Sequence, residues 1–200
     1  MTAIARAEFR VFGPRIIDIV QSHMWNGRTV LNEIRTMPAE TYVLSRVSAH
    51  ANVKIRDSVL DIKVRIGDTF EGYQIFEPAG KWPFPLTAAH LAAVEGFLGV
   101  SIAGPDPQEV PFDEFMRRVR SHPQLAAVTV EKERFGFSLD GTICEYARVY
   151  FNGAMVESAC VESAQYEAIT SVVQALGLSR LPNTNYIDAA SRIVGIVRAS

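Results

Sequence analysis

The chain has 200 residues, of which 48% are hydrophobic and 21% are charged, as is typical of a globular protein with one substantial core. Its formal net charge of −2 argues against a general nucleic-acid-binding protein, which would carry a strongly basic domain. The sequence has no apolar run long enough to cross a bilayer, and its N-terminus has no apolar signal core. We therefore expect a cytoplasmic protein that has no membrane partner.

Apolar periodicity and turn residues divide the chain into strands and helices. From the N-terminus, the predicted elements are a strand over residues 7–12, a helix that Pro14 opens and that continues through 28–36, a strand over 41–48, a hairpin over 52–65 and a strand over 73–77. They continue with helices over 88–98 and 112–119, strands over 128–137, 144–151 and 154–162, and helices over 164–176 and 183–197. This order predicts an α+β protein or a helix-decorated barrel rather than a doubly wound sheet.

Capping residues predict where two of the helices begin or end. Thr87 precedes the helix over 88–98, and Ser163 can cap the helix over 164–176, which Gly177 stops. Residues around 67–122 are rich in Pro and Gly and are predicted to form a helical insertion at the surface of a single domain spanning 1–200. No repeat or composition shift marks a domain boundary.

The hairpin over 52–65 is predicted to have one basic and one apolar face. A two-residue turn at Asp57 and Ser58 pairs Arg56 with Val59 and Lys54 with Asp61. Because side chains alternate along a strand, the basic face carries Lys54, Arg56, Asp61, Lys63 and Arg65, and the other carries Val53, Ile55, Leu60, Ile62 and Val64. A hairpin whose polar face is simply solvated is the alternative interpretation.

A second hairpin is predicted at Asn152 and Gly153, the strongest turn signal in the sequence. Its register places Glu145 opposite Cys160 and Arg148 opposite Glu157, so the latter two are expected to form a cross-strand charge pair. The face that carries Glu145, Ala147, Ser158, Cys160 and Glu162 is small and polar, and it could line a cavity. The opposite face is apolar and is expected to be covered by helices.

Cations recur on other predicted strands, where Arg10 shares a face with Glu8, and Lys132 shares a face with Arg134. If the strands close on themselves, these cations point inward and, where unpaired, repel one another by about several kcal/mol in a low-dielectric interior. We therefore expect an anionic guest. Phosphate chains fit this role, because arginine forks and lysine ammonium groups both bind phosphoryl oxygens well.

Common catalytic motifs are absent from the sequence. It contains no GxxxxGK[ST] phosphate loop, GxGxxG fingerprint, GxSxG elbow or HExxH zinc motif. The four histidines are scattered, and the two cysteines, Cys144 and Cys160, are predicted to be buried free thiols. The basic strand faces therefore remain the candidate site.

The basic strands resemble those of the CYTH superfamily, the triphosphate tunnel metalloenzymes, from Glu8 to about Gly195. The basic-x-basic pair is matched by Lys54 and Arg56, the later strand lysine by Lys63, and the K-x-R strand by Lys132 with Arg134. The run from the last strand to the closing helices is also similar, and residues 7–13 resemble the opening of bacterial relatives. The resemblance implies an eight-stranded antiparallel tunnel-like β-barrel decorated by helices.

The chain departs from the superfamily pattern in its acidic residues. The opening motif has Arg6 in place of the first glutamate, and the late acidic strand keeps only Glu162 of three inward carboxylates. The resemblance implies substrate-binding roles for Arg10, Lys54, Arg56, Lys63, Arg65, Lys132 and Arg134, catalytic roles for Lys63 and Glu145, and Mg²⁺ or Mn²⁺ ligation by Glu8, Glu145 and Glu162.

The activity expected from this resemblance is metal-dependent hydrolysis of inorganic tripolyphosphate or of a nucleoside or organic triphosphate. Cyclisation of ATP is a second chemistry of the same fold. A non-catalytic polyphosphate- or nucleotide-binding module is consistent with the depleted carboxylates, and an α+β scaffold with hydrated basic faces is a further alternative. The expected partner is a triphosphate-containing small molecule or polyphosphate.

Overall fold

The computed structural model describes residues 5–102, 104 and 109–196. Its strands are β1 (Arg6–Gly13), β2 (Thr29–Ser45), β3 (Ala51–Arg56), β4 (Val59–Asp68), β5 (Gln74–Pro83), β6 (Leu86–Thr87), β7 (Glu109–Val110), β8 (Leu125–Leu139), β9 (Thr142–Phe151) and β10 (Ala154–Ser163). Its helices are α1 (Ile16–Met24), α2 (Ala88–Leu98), α3 (Phe112–Ser121), α4 (Glu167–Ala175) and α5 (Tyr186–Ile193).

Eight of these strands form a closed antiparallel barrel. Their order is β1, β10, β9, β8, β2, β3, β4 and β5, and the pairing of β1 with β5 closes the sheet. The short strands β6 and β7 form a separate two-stranded sheet. The predicted α+β class and eight-stranded barrel are therefore confirmed.

The predicted extension of the first helix is wrong. Residues 28–36 do not extend the first helix, because α1 ends at Met24 and β2 begins at Thr29. The apolar side chains of Val30, Leu31 and Ile34 have helical spacing, but pairing within the sheet overrides that local signal. Within the Pro/Gly-rich stretch around 67–122, β5 continues to Pro83.

The predicted helix ends are confirmed at Thr87 and Gly177. Thr87 Oγ1 accepts a hydrogen bond from His90 N, and His90 Nδ1 accepts one from Thr87 N, which completes a capping box at α2. Gly177 follows α4 with φ of 74°. Ser163 does not cap α4, which starts at Glu167, and instead accepts a hydrogen bond from Gln165 N.

Both predicted hairpin registers are confirmed. Lys54 pairs with Asp61 across β3 and β4, and the turn residues Asp57 and Ser58 have φ of 50° and 56°, as a type I′ turn requires. Across β9 and β10, Glu145 pairs with Cys160.

The expected charge pair on the second hairpin does not form, although Arg148 and Glu157 are register partners. Arg148 binds Glu133 of β8 at 3.2 Å, and Glu157 accepts a hydrogen bond from Ile17 N of α1 at 2.8 Å. The register therefore makes Arg148 and Glu157 neighbours, but their long side chains bind other residues.

The chain divides into two compact units, of which the first contains residues 5–38, 65–77 and 131–185. Its apolar core includes Phe9 and Val11 of β1, together with Val20 of α1 and Ile169 of α4. Because side chains alternate along a strand, Glu8 and Arg10 lie on the face of β1 turned away from these helices. This polar face carries the first group of candidate site residues.

The second unit contains the described residues of 39–64, 78–130 and 186–196. Its core includes Val53 and Ile55 of β3, Leu60 of β4, Leu98 of α2 and Phe115 of α3. The apolar face of the first predicted hairpin is thus covered by helices. The opposite face carries the second group of candidate site residues.

Among the described residues, no helix has the length and apolar character needed to span a membrane. Cys144 and Cys160 are buried free thiols, as predicted.

Candidate functional site

Arg10 is the centre of the charge cluster in the first unit. Its side chain is only 7% exposed, and its guanidinium donates from Nε to Glu8 Oε1 at 2.9 Å and from Nη1 to Glu145 Oε1 at 2.8 Å. A further contact joins Nη1 to Ser158 Oγ at 3.3 Å. The register explains this arrangement, since Arg10 lies opposite Cys160 of β10, which in turn lies opposite Glu145 of β9.

Glu145 links Arg10 to a second arginine. Its Oε2 lies 2.5 Å from Arg134 Nε, and Arg134 Nη1 lies 2.6 Å from Glu33 Oε1. Burial acts to raise the pKa of Glu145, but Arg10, with Arg134 and Lys132, outweighs burial and holds that pKa below its ordinary value. Glu145 is therefore an ionised, partly buried carboxylate held between cations.

The segment after α4 fixes the backbone of Arg10. Asn183 Oδ1 accepts a hydrogen bond from Arg10 N at 3.0 Å, and Thr184 N donates to Arg10 O at 2.7 Å. Asn183 Nδ2 also donates to Gly72 O at 3.1 Å, and Asn185 Nδ2 donates to Gln74 Oε1 at 3.0 Å. Since β5 pairs with β1 only from Arg6 to Glu8, this segment takes over as the partner of β1 at Arg10.

Glu40 is the centre of the charge cluster in the second unit. Its side chain is 2% exposed, and its Oε1 lies 3.2 Å from both Lys54 Nζ and Arg56 Nη1. Lys54 Nζ is also 3.8 Å from Asp61 Oδ2 of β4. The β2–β3 register pairs Thr41 with Ile55, so the next position along β2 brings Glu40 beside Arg56.

Three predicted site residues lie outside these two clusters. Lys63 is exposed opposite Asn52, and no hydrogen bond or ion pair joins it to another described residue. Arg65 binds Asp68 through Nε at 3.0 Å. Glu162 binds Arg6 at 3.1 Å, in an ion pair that is largely exposed.

The expected repulsion between unpaired cations does not arise at Arg10, Arg134, Lys54 or Arg56, because each has a carboxylate partner. Buried ion pairs offset much of the desolvation penalty that isolated charges would incur. The argument that these cations require an anionic guest is therefore wrong for these four residues.

Sequence reasoning missed the carboxylates of Glu33 and Glu40. Glu33 was assigned to a helix, and Glu40 lies one residue before the predicted start of its strand. Starting that strand one residue earlier would have placed Glu40 on the same face as Tyr42 and Leu44. That alternation was the available signal for a buried carboxylate.

The carboxylates predicted to hold Mg²⁺ or Mn²⁺ do not fit a metal ion as they are arranged. Glu8 and Glu145 contact Arg10, and Glu162 contacts Arg6. Over residues 5–102, 104 and 109–196, no group of three or more His, Cys, Asp or Glu side chains could hold a metal ion. Hard divalent cations require several oxygen ligands, which here are bound to guanidinium groups.

Neither buried thiol has the character of a nucleophile. Burial raises the pKa of the Cys160 thiol well above its ordinary value, even though Arg10 acts in the opposite direction. Burial also raises the pKa of Cys144 to about 12. Both cysteines therefore stay protonated at neutral pH and act as packing residues.

Comparison with known proteins finds similarity among solved structures. No protein-family model and no curated protein matches the sequence. A candidate adenylate cyclase from Bacillus halodurans is 14% identical with a TM-score of 0.47, and the match covers 94% of this chain and 98% of that protein. A protein from Pyrococcus horikoshii is 13% identical with a TM-score of 0.49, with 96% and 99% covered.

A third similar structure is a candidate adenylyl cyclase from Hippeastrum that has a dominant triphosphatase activity. It is 11% identical with a TM-score of 0.49, and the match covers 97% of each chain. Likenesses at this level carry no argument about the activity of the present chain. What this chain shows by itself is a closed barrel of eight antiparallel strands, as predicted from its sequence.

Proposed function

We propose that this protein binds a triphosphate or a longer phosphate chain through the polar face of the β3–β4 hairpin. The observation that carries the proposal is the set of unused donors on that face. Arg56 contacts Glu40 through Nη1 alone, so its Nε and Nη2 donate to no other described residue. Lys63 is exposed on the same face, and its ammonium group has no partner in the described part of the chain.

The charge balance of the hairpin supports anion binding. On this face Lys54, Arg56, Lys63 and Arg65 contribute four positive charges, whereas Asp61, Glu40 of β2 and Asp68, the partner of Arg65, contribute three negative charges. An arginine with a free edge of its guanidinium can bind a phosphoryl group through two parallel hydrogen bonds, and a lysine adds a point charge. The net positive charge is small, so we expect modest affinity for a single phosphate.

The spacing of these donors favours an extended anion. Lys63 lies opposite Asn52, which is four residues from Arg56 along β3. Four residues of extended strand span roughly 13 Å, with Lys54 between the two ends. A phosphate chain presents several charged groups along its length, whereas a single phosphate presents one, so inorganic tripolyphosphate is the natural first probe.

Arg10, Lys132 and Arg134 in the first unit are candidates for additional phosphate contacts, as the sequence predicts. Arg10 is less available than Arg56, because its guanidinium already binds Glu8, Glu145 and Ser158. A phosphate ligand would have to replace carboxylate oxygens there. We therefore treat this cluster as a separate arm of the test.

Metal-dependent hydrolysis of tripolyphosphate or of a nucleoside triphosphate is our second candidate function. The observation that favours it is that Glu8 and Glu145 both contact one guanidinium, so their oxygens converge. To hold Mg²⁺ or Mn²⁺, both carboxylates would have to exchange Arg10 for the metal ion. Catalytic roles for Lys63 and Glu145 remain predictions, since the carboxylates as arranged are bound to arginine.

Isothermal titration calorimetry with inorganic tripolyphosphate tests the proposal in the presence of Mg²⁺, of Mn²⁺ and of chelator. The decisive variant is Lys54→Ala/Arg56→Ala. The matched control is Arg117→Ala/Arg120→Ala on α3, which removes the same charge from two exposed positions. A third variant, Arg10→Ala/Arg134→Ala, examines the cluster of the first unit. Adenosine triphosphate replaces tripolyphosphate in a parallel series.

Saturable binding that is lost in Lys54→Ala/Arg56→Ala and kept in the α3 control is the expected result. Equal affinity in both double variants would overturn the proposal, because binding would then follow net charge alone. Sustained heat that appears only with Mg²⁺ or Mn²⁺ would indicate hydrolysis. Saturable heat without turnover under every condition would favour a binding module.

A further inference from the structure

We propose that Glu40 is an internal counter-ion that sets the anion affinity of the β3–β4 hairpin. Glu40 was not among the residues predicted to form the site. Its carboxylate occupies a position between Lys54 and Arg56 where an oxygen of an anionic ligand would otherwise bind. The inference rests on the proposed function, since it concerns the same cations, and it assigns to one buried residue the control of their affinity.

Burial makes the charge of Glu40 effective. The residue is 1% exposed, and its strand neighbour Tyr42 is equally buried. Tyr42 lies opposite Lys54 in the β2–β3 ladder and stacks on Tyr186 of α5, with ring centroids 5.7 Å apart. These rings keep water away from one side of the cluster, and charges interact more strongly where solvent screening is weak.

Glu40 is fixed in place, unlike an exposed carboxylate that could turn away from an incoming anion. It belongs to the buried part of β2, and one oxygen contacts both cations. An anion that binds Lys54 and Arg56 must therefore share them with Glu40 and is repelled by it. Removal of this negative charge would take from Arg56 its ion pair with Glu40 and would leave Lys54 with Asp61 at 3.8 Å among its partners.

The charge on Glu40 therefore has two opposing effects. It stabilises the folded chain without a ligand, because it places a negative charge 3.2 Å from both Lys54 and Arg56. It also weakens anion binding, because the ligand meets a cluster that is already largely neutral. Substitution of Glu40 should lower the stability of the ligand-free chain and raise its anion affinity. Anion binding should then restore more stability to the variant than it adds to the wild type. A purely structural role would produce only the loss of stability.

The test compares Glu40→Gln with the wild type by calorimetry with inorganic tripolyphosphate in chelator. Glutamine keeps the shape and the accepting oxygen of Glu40 and removes its charge. The control is Asp113→Asn, an exposed position in the first turn of α3 that changes the net charge by the same amount. We expect Glu40→Gln to bind at least about tenfold more tightly, and Asp113→Asn to bind as the wild type does.

Thermal unfolding gives an independent measurement. Tripolyphosphate should raise the melting temperature of Glu40→Gln by more than that of the wild type, whereas potassium chloride of equal ionic strength should not. If Glu40→Gln does not fold, Asp61→Asn takes its place. Asp61 lies 3.8 Å from Lys54 and is more exposed, so we expect binding about two- to threefold tighter.

The outcomes separate the inference from the proposed function. If the wild type binds tripolyphosphate and Glu40→Gln binds it with equal or lower affinity, the inference is overturned and the proposed function is not. Binding by Glu40→Gln alone would support the inference and overturn the proposed function of the wild type. No binding by either folded protein would overturn both. If Asp61→Asn has to replace Glu40→Gln, unchanged affinity would overturn the inference.

Discussion

The two compact units each contain a charge cluster, but the central residues of the two clusters have charges of opposite sign. In the first unit, the buried cation Arg10 is held by the carboxylates of Glu8 and Glu145. In the second unit, the buried anion Glu40 is held by Lys54 and Arg56. The first cluster lies on a strand face turned away from α1 and α4, and the second lies on the face opposite α2 and α3. Both have similar numbers of positive and negative charges.

This difference determines which cations are available to a ligand. A central arginine uses its donors on its own carboxylates, whereas a central carboxylate engages only part of each surrounding cation. Arg10 donates from Nε, Nη1 and Nη2, while Arg56 contacts Glu40 from Nη1 alone. We therefore expect the first cluster to contribute more to stability and the second to contribute more to anion binding.

Arg10→Ala should have the largest effect on stability. The change leaves Glu8 and Glu145 as partly buried carboxylates without their central partner, and loss of one member of a buried pair typically costs about 3–5 kcal/mol. Urea unfolding at neutral pH would measure the loss. Arg148→Ala is a suitable control, because Arg148 is an exposed arginine paired with Glu133. Equal stability of the two variants would contradict the central role of Arg10.

Glu145→Gln should have the next largest effect, about 1–3 kcal/mol at neutral pH. Arg10 and its neighbours lower the folded pKa of Glu145 below its unfolded value, so the stabilisation is complete above the unfolded pKa. It is lost as the pH falls from about 4.3, the ordinary value for glutamate, through the lower folded pKa. The gap in stability between wild type and variant should therefore narrow below about pH 4.

Unfolding free energies of both proteins at several pH values between neutrality and the acid limit would measure this gap. A gap that stays constant with pH would show that the carboxylate is not ionised in the folded chain. A gap that widens in acid would contradict the direction of the pKa shift.

Asn183→Ala should lower the unfolding free energy by about 1–2 kcal/mol, because two hydrogen bonds that hold the backbone of Arg10 and Gly72 are lost. Asn183→Asp keeps an acceptor for Arg10 N and should recover part of the loss. Amide hydrogen exchange at Arg10 should become faster in Asn183→Ala. Unchanged exchange would mean that Asn183 does not protect the amide of Arg10.

Arg56→Ala should have the smallest effect on stability, less than about 1 kcal/mol, because its side chain is 34% exposed and makes one ion pair. The affinity of the Arg56→Ala variant for tripolyphosphate should nevertheless be about tenfold lower than that of the wild type. Urea unfolding and calorimetry on the same preparation would measure both quantities. A large loss of stability without a change in affinity would reverse the assignment of the two clusters.

The fold was largely predictable, because its main signals are local. The turns at Asp57–Ser58 and Asn152–Gly153 set the registers of two hairpins, and alternation along each strand separated the helix-covered face from the polar face. Prediction failed at residues 28–36, where apolar spacing matched a helix. Those residues are strand because of pairing with distant parts of the sheet, which a local pattern does not contain.

The candidate site was predictable only in part. Strand alternation identified the cations, among them Arg10, Lys54 and Arg56, from spacing alone. Their carboxylate partners come from other strands, and the choice between partners depends on side-chain reach. Arg148 shows this directly, since it binds Glu133 rather than its register partner Glu157. Sequence spacing could therefore identify the charged residues but not the residues with which they form ion pairs.

The two-residue turn between β3 and β4 makes the hairpin intolerant of small insertions. Successive side chains point to opposite faces of a strand, so one added residue at Asp57–Ser58, with β3 held in place, would exchange the faces of β4. Lys63 and Asp61 would then be directed at the helices, and Leu60 and Ile62 would take their places on the polar face. Length variation among relatives of this chain should therefore avoid this turn, and a deep mutational scan should find it among the positions least tolerant of insertion.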